Sequence, residues 1–120
     1  MKKRLASHGE EQLKPELARQ LRTRLRELVI AKLLTDQVER ILLLRLGLED
    51  GQCHTLKEVA DILAKSSEWI RIRQHLALKH CTNDLQFKLI LSQYDQIVKL
   101  PKGLTYYLYR YKSDKGDFPY

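Results

Sequence analysis

The chain has little cysteine, glycine and proline, and it lacks any long apolar run. Two cysteines in 120 residues are too few for a disulfide framework and agree with a reducing compartment. Five glycines and three prolines exclude a low-complexity chain. No apolar run approaches the roughly 18 residues of a membrane span, and no apolar core follows the basic N-terminus as in a signal peptide. We therefore expect a folded, cytoplasmic protein that does not span a membrane.

Motifs for catalysis and metal binding are missing as well. The sequence has no Gly-rich phosphate loop, no nucleophile motif and no Glu-x-x-His pair. Cys53, His54, His80 and Cys81 flank one segment, but adjacent ligands chelate poorly and structural zinc sites prefer two to four intervening residues. We expect no enzyme activity, no cofactor and no metal. Cys53 is expected to be a loop thiol, and Cys81 an apolar residue at a helix end.

Positive charge is abundant and unevenly distributed. The net charge is +7, and residues 1–33 carry nine Lys or Arg against four acidic residues. Residues 34–64 carry three against six, residues 65–82 four against one, and residues 83–120 six against four. An acidic middle between basic segments produces an oriented field, and basic faces attract phosphate backbones. The charge favours a nucleic-acid partner over a merely soluble, basic surface.

Apolar spacing predicts an all-α fold of about five helices. Leu17, Leu21, Leu25, Leu28 and Val29 recur at steps of three or four, as on one face of a helix. Similar spacing and capping residues place the helices at residues 15–33, 35–46, 55–63, 67–80 and 84–99. Pro15 is expected in the first turn of the first helix, and Gly47 in the left-handed position after the second.

The clearest local signal is at residues 55–80. Thr55 and Glu58 have the spacing of a capping box, in which each side chain satisfies a free backbone amide. A break at residues 64–66 leads to the next helix, which Ser66 or Ser67 can cap. Two helices joined by so short a turn form a helix-turn-helix, whose second helix can enter a major groove.

Residues from about 34 to 80 resemble region 4 of bacterial sigma factors. The resemblance is carried by Leu46-Gly47-Leu48 at the end of a leucine-rich helix and by Thr55-Leu56-Lys57-Glu58-Val59-Ala60 at the start of the helix-turn-helix. Glu68-Trp69-Ile70-Arg71 is similar to the family's Glu-Arg-Ile-Arg, and Ala77-Leu78-Lys79 to its Ala-Leu-Arg. The resemblance implies promoter binding and docking on RNA polymerase.

The resemblance also implies contacts from Ser67, Glu68 and Arg71 to base edges or nearby phosphates. Arginine can bond guanine through two hydrogen bonds, and glutamate can accept one from cytosine. The chain departs from the family at four positions, so the family's usual promoter hexamer is not carried over. Arginine is expected at 67 and 69, glutamine at 72 and an apolar residue at 73, where this chain has Ser67, Trp69, Ile72 and Arg73.

We therefore expect a small transcription regulator, or a free-standing sigma-like subunit, that binds double-stranded DNA sequence-specifically. The chain is too short to hold a second promoter-opening module besides this region. We expect a basic N-terminal helix at 1–33, the helix-turn-helix at 34–81 and a C-terminal helix with a Tyr-rich tail at 82–120, in one compact domain. The DNA-binding residues are expected to be Lys65, Ser66, Ser67, Glu68, Arg71, Arg73 and Gln74.

Other interpretations of the same residues stay open. An adaptor could dock its helix-turn-helix on RNA polymerase or another regulator without reading DNA. Residues 104–112 have the aromatic and β-branched content of a strand, although a short helix fits nearly as well. Their tyrosines could stack on unpaired bases, anchor a homodimer or another protein interface, or pack on the core. A single-stranded RNA binder rests only on this basic, aromatic tail: Tyr106, Tyr107, Tyr109, Arg110, Tyr111 and Lys112.

Overall fold

The computed structural model describes residues 2–108, and the side chains of residues 13–108. The all-α prediction is confirmed, because these residues form six helices and no strand. None of these helices combines the length and apolar character that a membrane crossing requires. The helices are α1 (Lys2–Ile30), α2 (Asp36–Arg45), α3 (Leu56–Leu63), α4 (Ser67–Cys81), α5 (Leu85–Val98) and α6 (Lys102–Thr105).

Side-chain caps set where most of these helices begin. Thr35, Thr55, Ser66 and Asp84 each accept a hydrogen bond from the backbone amide three residues later. The capping box at the start of α3 is confirmed, since Glu58 also accepts from the backbone amide of Thr55 at 2.9 Å. These contacts satisfy amides that a helix start leaves without an intrahelical partner.

Left-handed residues follow α1, α2, α3 and α5. Gly47 has φ +74°, as predicted, and an added Cβ there would lie 3.2 Å from the backbone nitrogen of Cys53. Lys32, Ala64 and Lys99 have positive φ angles without being glycine. The turn between α3 and α4 therefore starts at Ala64, whose conformation costs about 1 kcal/mol more than glycine would.

The first helix differs from its prediction at both ends. It runs from Lys2 to Ile30 rather than from 15 to 33, so the expected start at Pro15 is wrong. Pro15 lies inside the helix, where its nitrogen has no hydrogen to donate to the preceding turn. The helix continues past this missing hydrogen bond because strong helix formers lie on both sides of Pro15. The helix ends early because Lys32 takes a left-handed conformation.

Two apolar clusters hold the helices together. The larger joins α1 to α5 and includes Leu21, Leu25 and Phe87, all fully buried. The smaller joins α2, α3 and α4 and consists of Ile41, Leu44, Val59, Ala60 and Ile70. Of the predicted stripe on α1, four leucines are buried and Val29 is half-buried. The smaller cluster is the one that fixes α3 against α4.

The C-terminal segment is not a strand as far as it is described. Residues 102–105 form α6, and residues 106–108 form a turn. Leu104 and Leu108 are buried, one helical step of four apart, and no strand is available in residues 2–108 to pair with this segment. Tyr106 and Tyr107 are half-buried. The predicted roles of Tyr109, Arg110, Tyr111 and Lys112 lie outside the described residues.

A buried arginine connects three parts of the helix-turn-helix. Arg45, at the end of α2, is 7% exposed. Its Nε donates to Oε1 of Gln74 on α4 at 2.6 Å, and one terminal nitrogen donates to the carbonyl of His54 before α3 at 2.8 Å. Burial lowers the pKa of the Arg45 guanidinium. The guanidinium is thus held between α2, the loop leading to α3, and α4.

Replacing this arginine is expected to destabilise the fold. Arg45→Ala leaves one buried and one part-buried acceptor without donors, so we expect the free energy of unfolding to fall by about 2–4 kcal/mol. Urea unfolding followed by circular dichroism measures this change. Arg40→Ala is the matched control, because Arg40 is exposed on the same helix and pairs with Glu49 at the surface. The control is expected to lose less than about 1 kcal/mol; equal losses would contradict the role of Arg45.

Candidate nucleic-acid interface

The candidate site is formed by α3, the turn at residues 64–66, and α4. The hydroxyl of Ser66 accepts from the amide of Trp69 at 3.0 Å, which fixes the point where α4 starts. Val59 and Ala60 of α3 pack against Ile70 of α4 in the smaller cluster. This contact turns one side of α4 inward, and the opposite side is left at the surface of the protein.

Six of the seven residues predicted to bind DNA lie at this surface. All six are exposed, and they occupy the turn and the first two turns of α4. Three of them are basic and one is acidic, so the local charge is positive. The six are Lys65, Ser66, Ser67, Glu68, Arg71 and Arg73.

Gln74 is the exception, and the expectation for it has to be corrected. Its side chain is 4% exposed and accepts the hydrogen bond from Arg45. A side chain this deeply placed cannot reach a base edge while the helices stay packed. Gln74 follows Ile70 by four residues and so lies on the inward side of α4, where Arg45 meets it.

Arg71 and Glu68 form an ion pair on the outward side of α4. Nε of Arg71 donates to Oε1 of Glu68 at 3.1 Å, and a terminal nitrogen donates to Oε2 at 2.5 Å. The hydrogen bond from Arg71 lowers the pKa of the Glu68 carboxyl, which is therefore ionised at neutral pH. The pair orients both side chains and leaves N–H groups of Arg71 available for further acceptors.

Trp69 holds the other two basic side chains in place, a role that was not predicted from the sequence. The ammonium nitrogen of Lys65 lies 5.0 Å from a Trp69 ring centroid, and the Arg73 guanidinium carbon 4.6 Å from one. Trp69 itself is half-buried against the smaller cluster. The signal was present in the sequence, since a cation stands four residues before the tryptophan and another four after it. Cation–π contacts of this kind hold charged groups in place near a surface.

Two histidines near the site have opposite electrostatic surroundings. Nε2 of His54 lies 2.7 Å from a carboxylate oxygen of Asp50, and this hydrogen bond raises the pKa of His54. His75, on α4, is hydrogen-bonded through Nε2 to the Tyr107 hydroxyl at 2.9 Å. Burial, followed by the charges of Lys79 and Arg71, lowers the pKa of His75. At neutral pH His75 therefore adds no full charge to the surface.

Metal binding has no support in the described side chains. Across residues 13–108, no three His, Cys, Asp or Glu side chains are grouped in a way that could hold a metal ion. Cys53 is exposed in the loop before α3, and Cys81 is buried at the end of α4, as predicted for each. Burial raises the pKa of the Cys81 thiol to about 12, so it stays protonated.

The tight turn, the inward packing of α3 on α4 and the exposed basic start of α4 define a DNA-binding helix-turn-helix. Residues 32–82 match the family model of sigma-70, region 4. The match supports a helix-turn-helix domain of the sigma-70 region 4 type in this segment, and that domain family binds DNA in transcription and is not an enzyme family. No curated protein and no solved structure matches the chain. The family in general associates with RNA polymerase.

The two histidines are expected to titrate in opposite directions from the ordinary value of 6.5. Proton NMR of the imidazole rings measures both, and we expect the pKa of His54 above 6.5 and that of His75 below it. Since its pKa is raised by folding, His54 stabilises the fold below about pH 6.5, and this contribution is lost as pH rises through the folded pKa. His75 has the opposite sign and opposes folding as pH falls below about 6.5.

Asp50→Asn distinguishes the cause of the His54 shift, the hydrogen bond to Asp50, from the cause of the His75 shift, burial. It removes the carboxylate that faces His54, so the pKa of His54 should fall toward 6.5 while that of His75 stays where it was. The spectra of the variants His54→Gln and His75→Gln show which signal belongs to which histidine, because each variant lacks one of the two signals. A His54 pKa unaffected by Asp50→Asn would contradict the contact.

Proposed function

We propose that the chain is a small transcription regulator that binds double-stranded DNA sequence-specifically by inserting α4 into the major groove. The observation that carries the proposal is the exposed, positively charged start of α4 in a segment that matches sigma-70, region 4. In this proposal the helix-turn-helix segment at residues 34–81 contacts DNA. We expect the protein to work in the cytoplasm, because its proposed ligand is chromosomal DNA.

Each exposed side chain has a chemical role in this proposal. Arg71 is a bidentate donor to guanine, and Glu68 accepts from the amino group of cytosine. The hydroxyls of Ser66 and Ser67 donate to phosphate oxygens beside the helix N-terminus, where backbone amides also favour an anion. The pairing of Glu68 with Arg71 fixes both rotamers before DNA arrives, which lowers the entropy lost on binding.

Trp69 supports contacts to the DNA backbone. It holds Lys65 on one side and Arg73 on the other, so two cations flank the part of α4 that faces the bases. Phosphate contacts of this kind position a recognition helix without reading sequence. They also make binding depend on salt, because each neutralised phosphate releases condensed counterions.

A regulator is favoured over a free-standing sigma-like subunit. Ser67 and Trp69 stand where the resemblance leads one to expect arginine, and Ile72 stands where it leads one to expect glutamine. Because Ile72 lies on the outward side of α4, which is proposed to face the bases, the chain is expected to prefer a site other than the family's usual promoter hexamer. A protein with its own site and a region 4 domain fits regulation at selected promoters.

A polymerase-docking adaptor is the second candidate, and one observation favours it. An apolar groove lies between the start of α2 and the side of α4, with Leu33 and Leu76 largely exposed at its border. Exposed apolar surface of this kind is typical of protein contacts, including a homodimer. The groove is lined by Lys32, Leu33, Leu34, Thr35, Val38, Arg73, Leu76, Ala77 and His80.

Charge reversal on α4 tests the proposal. Fluorescence anisotropy with random-sequence and promoter-like duplexes, at two salt concentrations, measures the affinity. The unaltered chain is expected to bind tightly at low salt. The double variant Arg71→Glu, Arg73→Glu should bind at least about tenfold more weakly, and the slope of log affinity against log salt should fall by about 1, because Arg73 is the phosphate contact of the two.

A matched control distinguishes the effect of changing the α4 surface from the effect of lowering the net charge. Lys14→Glu with Arg19→Glu changes the net charge equally, at exposed positions on α1, which packs mainly on α5. This control is expected to keep most of the affinity. An equal loss in both double variants would overturn the role of α4, and absence of binding at low salt would favour the adaptor.

A further inference from the structure

An isoleucine occupies the middle of the outward side of α4. Ile72 is 39% exposed, although isoleucine is among the residues most often buried in proteins. It follows Glu68 by four residues and precedes Lys79 by seven, and both of these are exposed. These spacings place the three side chains on one side of the helix. An apolar side chain thus stands within the surface proposed to face the bases.

Packing within the chain does not require an isoleucine at this position. The contact of α4 with α2 and α3 is made by Ile70, which is completely buried two residues earlier. Leu76, the other exposed apolar residue of α4, borders the groove against α2, whereas Ile72 is not among the residues that line this groove. Ile72 is therefore distinguished from both the core residues and the groove residues of the same helix.

The major groove offers one apolar group, the 5-methyl group of thymine. An isoleucine side chain can bury such a methyl group but can neither donate nor accept a hydrogen bond. Facing cytosine or guanine it would gain no methyl contact and would cover only a polar group of the base edge, the amino group or the carbonyl. A position read by isoleucine therefore favours T·A over G·C pairs.

We propose that Ile72 is a specificity-determining residue that reads thymine 5-methyl groups in the major groove, beside the base pair contacted by Glu68 and Arg71. This inference rests on the proposed function, because it requires that α4 enters the groove. It adds that the preferred duplex contains thymine next to a G·C pair. The glutamine expected here from the family resemblance would instead pair with adenine through its amide.

Replacing thymine by uracil in the DNA tests this inference, since uracil lacks only the methyl group. The duplex is first selected by the unaltered chain from a random-sequence pool made with thymidine. Each thymidine of the selected site is then replaced in turn by deoxyuridine, and affinity is measured by anisotropy. At one or two positions we expect binding to weaken about two- to fivefold, the effect of exposing one buried methyl group.

Two variants of the full chain assign that loss to Ile72. Ile72→Ala should bind the thymidine duplex with the affinity that the unaltered chain has for the uracil duplex, and should show no further loss on uracil substitution. Ile72→Gln should prefer adenine at this position. Circular dichroism should show the helix content of both variants unchanged, because the position is exposed.

The possible outcomes distinguish a failure of the inference about Ile72 from a failure of the proposed function. If the chain binds duplex DNA and uracil substitution has no effect at any position, the inference about Ile72 is overturned and the proposed function stands. The inference about Ile72 is also overturned if Ile72→Ala keeps the full thymine preference. If the chain selects no duplex from the pool, the proposed function fails first.

Discussion

The burial of Arg45 is the constraint on which the geometry of the helix-turn-helix depends. A guanidinium withdrawn from water is costly unless its hydrogen bonds are made, and these come from Gln74 on α4 and from the carbonyl of His54 before α3. Both acceptors have to be in place together, so α2, the loop and α4 have one favourable arrangement. The apolar contacts of Ile70 with Ile41 and Leu44 would tolerate some sliding of α4, whereas a directional hydrogen bond at 2.6 Å does not.

This constraint also decides which side of α4 meets the exterior. Turning the helix by one residue, about 100°, would pull Gln74 away from Arg45 and bring a neighbouring side chain into the core. With Gln74 held inward, Glu68, Arg71 and Ile72 are left at the surface. There the Glu68–Arg71 ion pair and the Trp69 ring arrange the charged groups locally. The surface proposed to meet DNA is thus ordered by one buried contact below it and by short-range contacts within it.

The parts of this structure that the sequence allowed us to predict depend on neighbours along the chain. The capping box of Thr55 and Glu58, the leucines of α1 and the left-handed Gly47 all follow from spacings of three or four residues or from one residue's backbone freedom. What could not be predicted depends on distant partners. Gln74 was placed among the DNA contacts because its partner lies 29 residues earlier. Residues 104–108 had strand-like composition, yet Leu104 and Leu108 bury themselves on a helical core.

The departures from the family at positions 72 and 73 have a common physical explanation. Where the resemblance leads one to expect glutamine followed by an apolar residue, this chain has isoleucine followed by arginine, so the polar and apolar side chains have exchanged places. The structure accommodates the exchange because Trp69, itself a departure, offers its ring to Arg73. Arg73, which borders the apolar groove, has its guanidinium over the ring of Trp69. The apolar residue of the two is then Ile72, which lies on the outward side of α4. Under the proposed function, these three positions together would give α4 an apolar position that faces the bases, between cations that contact the DNA backbone.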